Sequence, residues 1–146
     1  MKGVCLKIRN KGNETAADVI NAHYKKMKAE GAVYFSTRLM IKEDRGVQQV
    51  LFYFIHHNRA RFVTADILSV KTSKTAFVPE DSVKYSLSKR FFVPKKSWLL
   101  MKNMREVPQE YIESCNVYYN DGRTRKLLDV IKHPNFNRAY YRKTEK

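Results

Sequence analysis

The stretch VYFSTRLMI (33–41) sets two aromatic rings beside two hydroxyls and an arginine. Flat π faces, hydrogen-bonding hydroxyls and a cation together suit the recognition of a nucleobase and its phosphate. The same mixture recurs along the chain. Tyr53, Phe77, Tyr85, Phe91, Phe92, Trp98, Tyr118, Tyr119, Tyr140 and Tyr141 all stand near Lys or Arg. A domain of this length also needs aromatics for its core, so each of these rings has a second reading as packing.

Catalytic arrangements are sparse. The chain has no G-x-S-x-G, no Walker A sequence and no GxGxxG. His56 and His57 are adjacent, so on a strand they point to opposite faces and do not chelate together. His23 and His133 have no partner at ligand spacing, and all four histidines read as surface or turn residues. Asp44, Asp66 and Asp81 with nearby lysines are the raw material of a metal-dependent nuclease, but no carboxylate-x-Lys pair follows a strand. Cys5 and Cys115 form no CxxC pair and read as free, half-buried thiols. The expectation is no catalytic residue, no metal and no cofactor.

Composition sets the wider bounds. Lys and Arg number 29 against 14 Asp and Glu, a net charge of +15 spread along the whole chain. A folded domain so basic expects a polyanion as its partner. Apolar residues make up 43% and charged residues 29%, the balance of a folded chain. MKGVCLKIRN lacks the apolar centre of a signal peptide, and no run is long enough to span a membrane. The expected setting is intracellular and cytoplasmic, with no membrane partner.

The elements that must position these residues follow from periodicity. GVCLKIRN (3–10) alternates as a strand. Residues 14–30 form a helix capped by Asn13 or Thr15 and stopped by Gly31, with Ala16, Ile20, Tyr24 and Met27 facing the core. AVYFSTRLM (32–40) is extended, and IKEDRG (41–46) turns. Residues 47–57 are apolar on both faces, which suits a central strand of a closed or covered sheet. Residues 61–73 return antiparallel. Residues 71–90 read as a long loop with room for a helical turn, and SWLLMKNMREVP (97–108) as a further strand. PQEYIESC forms a helical turn, VYYNDGRT (117–124) a turn region and 124–132 a short helix. The chain ends in a basic aromatic tail. The fold class is α+β, one domain over residues 1–146.

This order of elements resembles the PUA-like superfamily, and within it the YTH and EVE domains. LKIRNKGN resembles the turn after the family's first strand, and FST (35–37) its Trp–Ser–Thr element. VLFYFIHHNRARFVTADILSV looks like its strand pair, SWLLMKNMREVP like its later strand, and NDGR (120–123) like its Asp–Gly turn. Phe35 departs from the family's Trp, and the long loop carries no Trp.

The resemblance implies a strongly bent β-barrel of about five to six strands flanked by a few helices. It implies a non-catalytic module that takes a flipped, modified base into an aromatic pocket. Phe35 is one wall, and Phe77 or Tyr85 the other. Ser36 or Thr37 and Asn10 or Asn13 meet the base edge. Phosphates are expected on Arg9, Arg38, Arg59, Arg61, Lys95, Lys96, Arg123 and Arg125. Alternatives are an RNA-binding domain indifferent to modification, or an enzyme acting on nucleic acid. The setting is RNA or DNA, within a larger restriction-type or RNA-processing assembly. Against the pocket stands the plainer reading of Phe35 as core, with Ser36 and Thr37 bonding to the backbone.

Overall fold

The computed structural model describes residues 1–88 and 92–144, so Phe91 lies outside the described residues. Strands β1 (Lys2–Lys7), β2 (Val33–Thr37), β3 (Gln49–His56), β4 (Arg59–Phe77), β5 (Lys95–Val107), β6 (Cys115–Tyr118), β7 (Thr124–Lys126) and β8 (Arg138–Lys143) join one sheet. Its order is β2-β5-β4-β3-β1-β8-β6-β7. Helices α1 (Ala16–Glu30), α2 (Ser82–Tyr85), α3 (Gln109–Ile112) and α4 (Leu127–Ile131) and a 3-10 turn (Glu43–Arg45) accompany the sheet. The protein is therefore mixed α and β and dominated by its sheet. The expected barrel of five to six strands is corrected to an open eight-stranded sheet, because β2 and β7 stand at opposite ends of the strand order.

Strand alternation builds two cores from that sheet. Val4 and Leu6 of β1, with Val50, Phe52 and Phe54 of β3, point to one face and pack with Ile20 and Met27 of α1. Cys5, Leu51 and Tyr53 point to the other face, against Ile112 of α3 and Leu127 and Ile131 of α4. The doubly apolar strand expected over 47–57 is thus a central strand covered on both sides. β1 pairs parallel with β3 and antiparallel with β8. α1 provides part of the crossover that a parallel pair needs.

Local chemistry accounts for the helix and the hairpin. Thr15 caps α1 with a reciprocal box: its hydroxyl accepts from Asp18 N–H at 3.1 Å, and Asp18 accepts from Thr15 N–H at 3.0 Å. Gly31 ends the helix at φ 82°, in the left-handed region. His57 and Asn58 form the two-residue loop between β3 and β4, both at positive φ as a type I′ turn requires.

Several expectations are revised. Residues 71–77 continue β4 in place of a loop, and α2 stands as a helical turn after them. The turn region 117–124 is a β6–β7 hairpin, and residues 138–143 of the tail form β8, beside the central β1. Tyr24 is 42% exposed, and His23 takes the core position one residue earlier. His23 is buried, with Nδ1 at 2.7 Å from the Val19 carbonyl, which can only accept, so that nitrogen carries the proton. His56 and His57 do not diverge, since the turn brings their ring centroids to 4.0 Å. Cys5 and Cys115 are free but fully buried, not half-buried.

Candidate nucleic-acid interface

Phe35 is a core residue. It is 8% exposed and packs on Phe52, ring centroids 4.8 Å apart, and on His23. Phe77 and Tyr85 lie on the other face of β2. There Tyr34, the neighbour of Phe35, meets Trp98 and Tyr85, and Phe77 meets Trp98. Adjacent residues of a strand face opposite ways, so these rings cannot close one cage. Ser36 is buried, and Thr37 Oγ1 accepts from Leu39 N–H at 3.1 Å. Asn10 Oδ1 accepts from Ala16 N–H at 2.8 Å, a bond to the first turn of α1, while Asn13 is exposed on the preceding turn. The base pocket expected at Phe35 is corrected on these grounds.

The expected phosphate ligands do not converge either. Arg9 donates to the Phe136 carbonyl and to Asn137. Arg61 makes a two-bond pair with Glu106 at 2.9 and 2.7 Å, whose hydrogen bonds hold the Glu106 carboxyl below its usual range. Arg123 pairs with Asp121 at 2.6 Å. Arg38 and Arg59 are exposed at separate strand ends and Arg125 in the middle of β7, and Lys95 and Lys96 are half-buried at the start of β5.

Aromatic rings and cations do converge elsewhere. A cleft of about 300 Å³ lies between β8, the β6–β7 hairpin and the 3-10 turn Glu43–Arg45. Arg138, Tyr140 and Arg142 alternate on one face of β8. Lys2 stands directly opposite Arg142, and Asn116 of β6 opposite it on the other side. Directly opposed residues share a sheet face, so two cations lie side by side here. Arg142 lies over the ring of Tyr118 at 5.0 Å, and Arg45 over that of Tyr140 at 4.4 Å.

The cleft is held from beneath and from the side. The Tyr140 hydroxyl accepts from Lys42 N–H at 3.1 Å, and Arg138 donates to the Met40 carbonyl, which pins the 40–45 segment to β8. Glu43 accepts from Thr72 N–H at 2.7 Å and fixes the same turn to β4. Tyr141 lies on the opposite face, where its hydroxyl donates to Gln49 Oε1 at 2.6 Å and Gln49 donates to Tyr111 at 2.8 Å. Burial pushes the Tyr141 hydroxyl far above its ordinary range, so it stays protonated as that donor. Gly3 also lines the cleft, and a Cβ there would lie 2.3 Å from the Tyr141 ring, so the position leaves no room for a side chain.

The three carboxylates weighed for a nuclease lie apart in their contacts. Asp66 accepts from Asn103 at 2.9 Å, Asp81 from the Tyr34 hydroxyl at 2.8 Å, and Asp44 lines the cleft. Among the described residues no three His, Cys, Asp or Glu side chains group as a metal site would require. No described helix is long and apolar enough to cross a membrane.

Sequence reasoning flagged Tyr118 and Tyr140 as aromatics near cations but gave them no role, and missed Lys2, Arg45 and Arg142. The signal was present in RAYYR (138–142), where Arg, Tyr and Arg recur at the strand period. Fold and cleft together define an α+β protein whose mixed sheet carries a basic, tyrosine-lined cleft beside β8. No family model matches the chain, and no curated protein or solved structure does.

Proposed function

We propose that this protein is a non-catalytic nucleic-acid-binding module that takes a base against Tyr118 or Tyr140 and phosphates on Lys2, Arg45 and Arg142. The observation that carries the reading is the Lys2–Arg142 pair, two like charges directly opposed on one sheet face beside two tyrosine rings. Such a pair is unfavourable by itself, and a phosphate between the two cations relieves the repulsion. Tyrosine faces next to cations are the usual platform for unstacked bases. A flipped, modified base would enter this cleft, since the Phe35 ring is committed to the core.

Kinship with the PUA-like, YTH and EVE folds is part of the same proposal. It is supported by the order of elements and by three register shifts along β4–β5, which bend a sheet toward closure.

The test is fluorescence anisotropy of short labelled single strands across a salt series. With three phosphates neutralised, the log–log slope should be about −2, and Arg142→Gln should reduce its magnitude by about 0.7. Tyr118 is 49% exposed, so Tyr118→Ala should weaken binding by about 1–3 kcal/mol with the melting temperature held. Salt-independent binding, or variants indistinguishable from the parent, would remove the cleft from nucleic-acid recognition.

A further inference from the structure

One group in the cleft does not fit a surface built only for phosphate. Asp44 lines it together with Lys2, Arg45 and Arg142. A carboxylate beside phosphate ligands repels the phosphate, so it needs another purpose. It is not the counter-ion of these cations: among the described residues no ion pair or hydrogen bond of the Asp44 side chain is found. Nor does it hold the turn together, because the preceding Glu43 does that through Thr72 N–H. The turn itself is fixed. Its far end is Gly46 at φ 63°, and Arg45 is laid over the Tyr140 ring at 4.4 Å. Asp44 is therefore an exposed residue that a pinned segment presents to the cleft.

We infer that Asp44 reads the base edge, and that the base it selects is guanine, in a single strand bound as proposed above. An ionised carboxylate only accepts hydrogen bonds, through two oxygens side by side. Among the four common bases only guanine offers two adjacent N–H donors on its Watson–Crick edge, N1–H and the 2-amino group. Adenine and cytosine each pair one amino donor with a ring acceptor, which a carboxylate repels. Uracil and thymine flank their single N–H with two carbonyls. Asp44 lines the same cavity as the exposed Tyr118 ring, so a base taken against Tyr118 shares the cleft with the carboxylate. The inference rests on the nucleic-acid reading of the cleft and adds the base class to it.

The experiment uses the full chain and short oligouridine or oligothymidine strands that carry one central guanine, inosine or adenine. The guanine strand should bind about tenfold more tightly than the adenine strand, within the range of a good two-bond base contact. Inosine keeps N1–H but lacks the 2-amino group, so it should fall between them. Asp44→Asn removes a negative charge and one acceptor. It should tighten binding of the adenine strand, weaken that of the guanine strand and bring the two within about twofold. The preference should hold in RNA and DNA alike, because the base edge is the same in both.

A preference seen in RNA alone would assign Asp44 to a ribose hydroxyl and overturn the inference. Salt-dependent binding with equal affinity for all three strands would overturn it and leave the nucleic-acid reading standing. No binding of any strand would overturn both. Guanosine 5′-monophosphate serves as competitor. It should displace the guanine strand only in large excess, and displacement at equal concentration would reassign the site to free nucleotides.

Discussion

Phe35 and Gly3 carry different consequences from equally small spaces. Phe35 sits between Phe52 and His23 in the core under α1. Phe35→Ala should therefore cost about 3–5 kcal/mol of stability, the range for an aromatic removed from a packed interior. A thermal melt of the variant checks this, and an unchanged midpoint would return the ring to the surface. Gly3 has the opposite problem. Tyr141 occupies the space a Cβ would need and is held there by its hydrogen bond to Gln49. Gly3→Ala should destabilise the fold by about 1–3 kcal/mol through overpacking. Urea denaturation reads the loss, and a neutral variant would mean that the Tyr141 ring swings aside without penalty.

At the scale of elements, α1 depends on its ends as well as its buried stripe. The Thr15–Asp18 box satisfies two N–H groups that the first turn cannot pair internally. Thr15→Ala should cost about 1 kcal/mol. The backbone hydrogen bond from Thr15 to Asp18 holds that carboxyl below its ordinary range. Chemical denaturation of the variant and of Thr15→Ser separates the cap from simple side-chain loss: serine should recover most of the stability, and equal losses in both would sink the cap assignment. The hairpin of β6 and β7 works in another way. Its β7 strand is exposed throughout, while β6 gives Cys115 and Val117 to the second core and carries Tyr118 to the cleft.

Across the whole molecule, the two buried thiols link stability to pH. Burial pushes the Cys115 thiol up to about 11 from an ordinary 9.0, against the opposing charge of Lys143. Cys5 is pushed up further, by burial first and then by Cys115. The folded pKa lies above the unfolded one, so between pH 9 and 11 the unfolded chain releases a proton that the folded chain keeps. The contribution is whole below pH 9 and is lost as pH rises through 11. The urea midpoint should fall across that window, and fall less in Cys115→Ala. An equal decline in the two proteins would remove the Cys115 thiol from the account.

Much of the secondary structure was legible in the chain. The helix from Ala16 to Glu30, its Thr15 cap, its Gly31 stop and the central strand at 49–56 rest on neighbours within a turn or on strict alternation. Such local signals do not depend on what lies far away in sequence. The mixed α and β class and the strong positive charge have the same origin. The cleft does not, because its parts come from residues 2, 44–45, 118 and 140–142. The pairing of β8 with β1 and of β6 with β8, and the bonds of the 40–45 segment to β8, bring those segments together. The same holds for the direction of Phe35. FST offers aromatic and hydroxyl groups in a row, but which face of β2 meets α1 is decided by which side of the sheet the crossover helix covers. Once α1 covers one face, alternation commits Phe35 to the core and sends Tyr34 to the other side. Long-range strand pairing and the side on which a helix packs are properties of the assembled sheet, and no short stretch of sequence encodes them.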